Sequence, residues 1–588
     1  MPAGDTQAPS PRVAFVADEL LGYAGNGIGT TTTFVSLALA RMGYRVVVLF
    51  AGRAPTRPVD PEWQRLYDEA GVRVRVVPEG TQPVEPGHFA RMRDVETALV
   101  ADPPEVVIVQ DLGAPAYTAL RLRRLGLAFE QTSFVVFCHG TRRWITDVSR
   151  KIRVLPGAHA VSLLERASVE LADVVVSPSQ YLVDWMLGQG WELPSQTFVI
   201  PHVSRRGATD ELPAGLRPES DRVDRIAFFG RLEERKGLRP FVAALNALEP
   251  ELLARLEVEF IGRPTPAWSV ERVKGLLSEQ TGSALRGISF ETTLDQHEAL
   301  ARLSRPGTLA VMPSFEENSP NTVYECLENG LPFIASNAAG IRELVAPEDH
   351  ARVLFDPTVD GIAHALRRAL ADRYGVRPAQ PAYDDAESLQ RWDEVLALPA
   401  AREFGAKGVA VSMVDPDWVV LQDDADVPEP GLVATLVRAQ QVCGADVVTC
   451  GLFVEGAVHL FPGEPRALGL LGNGYGTTAL VRRSLLESDG AADARWPLFA
   501  KLSVAGAKIV SVPIPLVTSS EPPATLQTHP SEALRVLSSC EGVLPQNVRF
   551  VAELVTRLAA AETQRPSPVR GRGLARRAAR RLVRGRRR

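Results

Sequence analysis

Little in this sequence points to a covalent frame or an export route. Its 588 residues hold five cysteines (Cys138, Cys326, Cys443, Cys450 and Cys540), odd in number and scattered without a C-x-x-C pair. Neither a disulfide scaffold nor a thiolate zinc site is expected from that spacing. No run of about 18 apolar residues occurs, and the opening "MPAGDTQAPSPRVAFVADE" lacks a basic segment followed by an apolar core. The expectation is a cytoplasmic chain that neither crosses nor leaves a membrane by itself. Aromatic residues make up only 6%, yet 45% of the chain is apolar and 23% charged, which excludes the disordered and integral-membrane classes. At ~150 residues per domain the length gives three or four domains.

Acidic residues are missing from one place in particular. Residues 565–588, "RPSPVRGRGLARRAARRLVRGRRR", hold eleven arginines and no Asp or Glu, so the net charge of −5 averages an acidic body with a basic tail. Leu574, Ala578 and Leu582 make too small an apolar face for insertion. The tail is therefore expected to meet an anionic membrane surface by charge, placing the protein peripherally on the inner face. A solubilising tail is the plain alternative, and no specific nucleic-acid binding is expected.

What the chain does have is alternation. "RVAFVAD", "RVVVLF", "EVVIVQD", "SFVVFCHG", "ADVVVSPSQYL" and "TFVIPH" are short apolar runs separated by helical stretches, the pattern of a parallel sheet covered on both faces. After a polar stretch at 204–224, a second series follows: "RIAFFGR", "VEFIGR", "ISFETT", "TLAVMPS", "PFIASN" and "ARVLFD". The fold class is thus α/β, with two tandem Rossmann-like domains and a cleft between them as the default ligand site. The expected divisions are 1–203, 204–375, a returning helix at 376–400, a further module at 401–560, and the tail at 565–588.

The turn "GNGIGTTTT" after the first strand suits a phosphate or sugar held by backbone amides. A dinucleotide site would want a glycine where Thr30 stands and an acid after the second strand, where "VVVLFAGR" has none. In the second domain, "FFGRLEERKG" sets Arg231 and Lys236 just past a strand, two cations suited to a diphosphate or, more plainly, a solvated loop. "PSFEENSPNTVYECLENGLPFIAS" then sets Glu317 beyond a strand and Glu325 within the following helix, both able to face one cleft. The helix beginning between them points its free amides at whatever the cations bind.

These motifs, "GRLEERKG" with "PSFEENSPNTVYECLENGLPFIASNAAGIREL", resemble the retaining GT-B glycosyltransferases of family 4 over residues 12 to about 398. The resemblance implies a nucleotide-diphosphate sugar as donor, with no metal and no other cofactor. It also implies a saccharide, glycolipid or polysaccharide-precursor acceptor, some of them lipid-linked. By the same resemblance Arg231 and Lys236 neutralise the diphosphate, Asn321 and Thr322 add amide contacts, and Glu325 holds the ribose hydroxyls. Gly27 and Gly29 match the family's glycine turn. Glu317, on the donor sugar, and His139 in "FCHG" are the implied catalytic pair, and Glu165 and Ser179 support the domain. The sequence departs from the family at "NGIG", at "ENSP" where Glu-x-Phe-Gly is usual, and at "PHVSRRG" where Asn-Gly is usual.

Beyond residue 400, "DPDWVVLQDDADVPEPGLVATLVRAQ" resembles the middle of a metal-dependent GT-A glycosyltransferase of family 2, with Asp424 and Asp426 as its D-x-D. The half that would hold a nucleotide is absent, and Arg495 in "DARWPLFAKL" stands where the resemblance puts a catalytic base. An arginine cannot accept a proton, so the expectation is a truncated, degenerate module with a vestigial metal pair. A bifunctional enzyme and a non-catalytic sugar-binding scaffold are the alternatives. The second of these gives no reason for four polar donor ligands.

Overall fold

A computed structural model describes residues 11–25, 27–53, 59–149, 156–204, 222–371, 377–398, 417–423, 426–470, 472–487, 495–524, 535–536 and 538. The tail at 565–588, Cys540 and Asp424 lie outside the described residues. The chain divides into two compact units, residues 1–409 and 410–588.

The first unit contains two parallel sheets. The first is built from β1 (Arg12–Ala17), β2 (Arg45–Phe50), β3 (Arg73–Val76), β4 (Val106–Gln110), β5 (Ser133–Phe137), β6 (Val174–Ser177) and β7 (Thr197–Val199) in the order 3-2-1-4-5-6-7. Six of these are the apolar runs of the sequence. The seventh, β3, reads "RVRV" on an exposed edge, where one face meets solvent and charge replaces the continuous apolar run of a buried strand.

The second sheet has β8 (Arg225–Phe229), β9 (Glu257–Ile261), β10 (Gly287–Glu291), β11 (Thr308–Met312), β12 (Phe333–Ser336) and β13 (Leu354–Phe355), ordered 10-9-8-11-12-13. Successive residues of β8 serve opposite faces. Ile226 and Phe228 join one buried cluster with Phe241, Val258 and Phe260. Ala227 and Phe229 join another with Met312, Cys326 and Phe333.

Both sheets reverse strand order beside their first strand, at β1/β4 and at β8/β11. The crevice beyond the carboxyl ends of such strands is where open α/β sheets bind ligands. Helices α1 (Gly27–Arg41), α2 (Gln180–Gly188) and α3 (Asn321–Glu328) follow β1, β6 and β11 respectively, and so begin at those carboxyl ends. Helix α4 (Asp385–Ala397) returns to the first domain, where Trp392, Val395 and Leu396 lie in one buried cluster with Phe15, Val48 and Val135. Asp384 caps it by accepting from Glu387 N–H at 3.0 Å. The Ser204 N–H donates to Asp385 at 2.8 Å, tying the returning helix to the end of the first domain.

In the second unit, β14 (Trp418–Leu421), β15 (Val427–Pro428), β16 (Val447–Val454), β17 (Ala457–His459), β18 (Ala479–Arg482) and β19 (Ile509–Ser519) form a mixed sheet. Its centre is β16, antiparallel to β17 and β18 and parallel to β19. Trp496 and Phe499, from the helix Arg495–Val504, pack with Val447, Val481 and Ile509 beneath it. Among the described residues, no helix is long and apolar enough to cross a membrane.

Candidate functional site

A cleft of about 620 Å³ opens between the two domains of the first unit, and its walls include Gly27, His139, Arg231, Lys236, Glu317, Asn321, Thr322 and Glu325. One residue expected there, Gly29, does not line it. Helix α1 begins at Gly27, so Gly29 stands inside its first turn. A Cβ at Gly29 would meet Leu20 N at 3.0 Å and Ala24 O at 3.1 Å. The glycine lets the helix approach the preceding loop, and its N–H donates to Glu19 at 3.3 Å.

On the second-domain wall, the turn after β8 carries a cation the sequence reading passed over. Arg235 Nη1 donates to Glu317 Oε2 at 2.9 Å and Lys236 Nζ to Glu317 Oε1 at 2.5 Å, so one carboxylate holds two cations. Burial alone would push the Glu317 pKa up, but Arg235 and Lys236 hold it down to about 2. Burial lowers the Lys236 pKa, and the Glu317 charge opposes that. Arg231 pairs with Glu233 at 3.1 Å, and Arg235 reaches the same carboxylate at 3.2 Å. Arg263, another residue the sequence reading left out, adds a further cation to the lining. Gly237 makes this geometry possible: its φ of +71° is left-handed, and a Cβ there would lie 1.7 Å from Pro313 O.

Pro320 caps α3 and accepts from Val323 N–H at 3.0 Å, so the helix leaves the N–H groups of Asn321 and Thr322 unused at its positive end. The Asn321 side chain reaches across the cleft and donates to Gly27 O at 3.1 Å. Glu325, one level deeper on α3, accepts from Gln296 at 2.6 Å. Burial pushes its pKa up to about 7, with the Gln296 hydrogen bond pulling the other way. The two glutamates thus have opposite electrostatic settings, one held ionised by cations and one close to neutrality.

The first-domain wall is organised around Asp111, a fully buried acid at the end of β4. It accepts from the N–H groups of Leu112 (2.8 Å), His139 (2.9 Å) and Gly140 (3.0 Å), fixing the turn that presents His139. Burial raises the Asp111 pKa to about 6 against those three bonds. Burial, with a smaller contribution from His202, depresses His139 to about 3, so its imidazole is neutral. Glu165, fully buried, accepts from Gly113 N–H at 2.8 Å and Arg142 N–H at 2.7 Å, joining the loops after β4 and β5.

His202 is a lining residue that the sequence reading did not single out. Its ring stacks on Tyr324 with centroids 5.3 Å apart, and its main-chain N–H donates to the Tyr324 hydroxyl at 2.9 Å. Asp111 could have been found as an acid ending a strand at the switch point. Arg235 and His202 gave no such signal, because one sits in a uniformly charged loop and the other ends an ordinary strand.

In the second unit, Asp423 is exposed and Asp426 is buried. Asp426 is 7% exposed and accepts from Thr478 at 3.3 Å. Arg495, expected where a base would stand, donates to Gln422 O at 3.2 Å and lies 3.4 Å from Asp423 Oδ1. Among the described residues, no group of three or more His, Cys, Asp and Glu side chains could hold a metal.

Residues 26–202 match the sequence profile of a glycosyl transferase 4-like domain, and residues 223–372 that of glycosyl transferases group 1. The glycogen synthase of Mycobacterium tuberculosis is 26% identical over 430 residues, covering 67% of this chain and 95% of that protein. A GDP-mannose-dependent alpha-mannosyltransferase of the same organism is 28% identical over 397 residues, covering 62% of this chain and 92% of that protein. Among solved structures, a sucrose-phosphate synthase from Thermosynechococcus elongatus aligns with a TM-score of 0.48 at 19% identity, covering 66% of this chain and 96% of that one.

Proposed function

For a chain that is a glycosyltransferase using nucleotide sugars, we propose transfer in the first unit's cleft with retention of configuration and without a metal. The sugar passes to a saccharide, glycolipid or polysaccharide-precursor acceptor. The observation that carries this reading is the convergence on one cleft of Arg231, Arg235, Lys236, the free end of α3, and the two glutamates Glu317 and Glu325.

The chemistry follows from charge. A leaving nucleoside diphosphate gathers negative charge as the sugar–oxygen bond breaks, and fixed cations with helix N–H groups stabilise it where it develops. Arg231 and Lys236 hold the diphosphate, with Arg235 beside them and the Asn321 and Thr322 amides completing the cradle. Glu325 accepts hydrogen bonds from the ribose hydroxyls and Glu317 from hydroxyls of the donor sugar. His139, neutral and fixed by Asp111, faces the reacting carbon from the first domain. No residue is required as a nucleophile, since the acceptor hydroxyl enters on the face the diphosphate leaves and passes its proton to the departing diphosphate oxygen.

Residues 401–560 we read as a degenerate relative of the metal-dependent family 2 enzymes, with Arg495 pairing to the acidic loop. The arginine-rich tail we read as a contact to an anionic membrane surface.

Thermal shift with UDP, ADP and GDP tests the donor site, because a ligand at about 100 times its dissociation constant stabilises by about 2.7 kcal/mol. At least one of the three should raise the melting temperature of the wild type and fail to do so in Lys236→Ala. No shift with any of them would contradict the assignment.

A further inference from the structure

Resting on that reading of the cleft, we infer that Asn318 is a positioning residue that sets His139 of the first domain against Glu317 of the second. It follows Glu317 directly in "ENSP", so any displacement of one is passed to the other through a single peptide unit.

Asn318 is 4% exposed, an amide buried at the domain boundary. Its Nδ2 donates to the His139 carbonyl at 3.3 Å, and its Oδ1 accepts from the Ser179 hydroxyl at 2.5 Å. Both partners belong to the first domain. His139 follows β5, and Ser179 caps α2 after the neighbouring strand β6, its oxygen also accepting from Leu182 N–H at 3.1 Å. The backbone of Asn318 is fixed from behind as well. A Cβ on Gly340 would lie 1.6 Å from Asn318 O, so the two main chains are in direct contact. An amide clamped at both ends in a low-dielectric site has little freedom, and leaving either half unsatisfied is costly.

Other contacts also join the same two domains. Glu343 accepts from Gln180 N–H (2.7 Å) and Tyr181 N–H (2.8 Å), Asn321 donates to Gly27 O (3.1 Å), and His202 N–H donates to Tyr324 (2.9 Å). None of them touches the His139 main chain. Removing the Asn318 side chain therefore leaves the domains associated and the donor wall intact, while freeing the His139 turn relative to Glu317.

The test compares Asn318→Ala, Asn318→Asp, Ser179→Ala and the Asn318→Ala/Ser179→Ala double variant with wild type. It measures nucleoside diphosphate release from UDP-glucose, ADP-glucose and GDP-mannose, and the thermal shift given by the matching diphosphate. Asn318→Ala should lower kcat by about tenfold or more, the cost of sub-ångström misplacement of reacting groups, with the diphosphate shift unchanged. Asn318→Asp should fall with it, since a carboxylate can accept from Ser179 but cannot donate to His139 O. The double variant should be no slower than Asn318→Ala.

Wild-type kcat in Asn318→Ala, or a kcat loss matched by an equal loss of diphosphate binding, would overturn the inference. Losses that multiply in the double variant would do so too. If Lys236→Ala is inactive while Asn318→Ala is normal, only the positioning role falls. If Lys236→Ala is also normal, or wild type releases nothing from any of the three, the cleft assignment falls with it.

Discussion

At the scale of single residues, the cleft works by giving like side chains unlike surroundings. Glu317 is ionised at any working pH because Arg235 and Lys236 hold its pKa near 2, whereas Glu325 sits near 7 because only an amide opposes its burial. The Glu325 pKa is raised above its ordinary 4.5. Its contribution to stability is therefore complete below about 4.5 and is lost as pH rises through about 7. Donor affinity should run the other way under the proposed ribose role, in which the ionised form accepts from both ribose hydroxyls. Binding of the nucleotide sugar, whose diphosphate diester does not titrate in this range, is expected to tighten between pH 6 and 8 in wild type and to be flat in Glu325→Gln. A wild-type profile as flat as the variant's would remove Glu325 from the ribose site.

Much of this was legible in the sequence, because a charge just past an apolar strand run is conspicuous, as at Arg231, Lys236 and Glu317, and Glu325 lies in the helix that follows, where it can face the same cleft. Arg235 was hidden among the charges of "RLEERK". Asn318 and His202 were hidden because their roles lie in contacts made across the domain boundary, about 140 and 120 residues away in sequence.

At the scale of elements, the two parallel sheets were readable from apolar runs covered on both faces, and the one strand missed, β3, is the one whose outer residues are arginines on an exposed edge. The turn that carries Lys236 depends on a glycine whose necessity only the packing reveals. Gly237→Ala places a side chain in left-handed backbone against Pro313 O, so a destabilisation of roughly 1–3 kcal/mol is expected from the backbone alone, with loss of diphosphate binding. Unchanged melting and binding would show that the turn can rearrange.

Helix α4 is the second dependency. Trp392 is fully buried in the first domain's core although it lies beyond the second domain in sequence. Trp392→Ala should cost about 3–5 kcal/mol, read as a lower urea midpoint for the unit at constant slope. A cost under about 1 kcal/mol would mean that α4 is dispensable to that core.

At the scale of the whole molecule, we propose that one cleft carries the activity and that the second unit takes no part in the reaction. Asp426 is turned into its own unit toward Thr478, and Arg495 lies against Asp423. Asp426→Asn should therefore leave turnover within about twofold of wild type, since a change that removes no transition-state contact leaves kcat and kcat/KM in place. A loss of most of the activity in a folded Asp426→Asn protein would point to a second site and to the bifunctional alternative.

The central claim is that fixed cations and helix N–H groups do for the leaving diphosphate what a metal does elsewhere. The most direct measurement is nucleoside diphosphate release from the accepted nucleotide sugar, followed in excess EDTA for wild type and Lys236→Ala together. The expected result is a wild-type rate that EDTA does not change and a Lys236→Ala rate at background. A wild-type rate abolished by EDTA and restored by Mn²⁺ or Mg²⁺, or a Lys236→Ala rate equal to wild type, would contradict it.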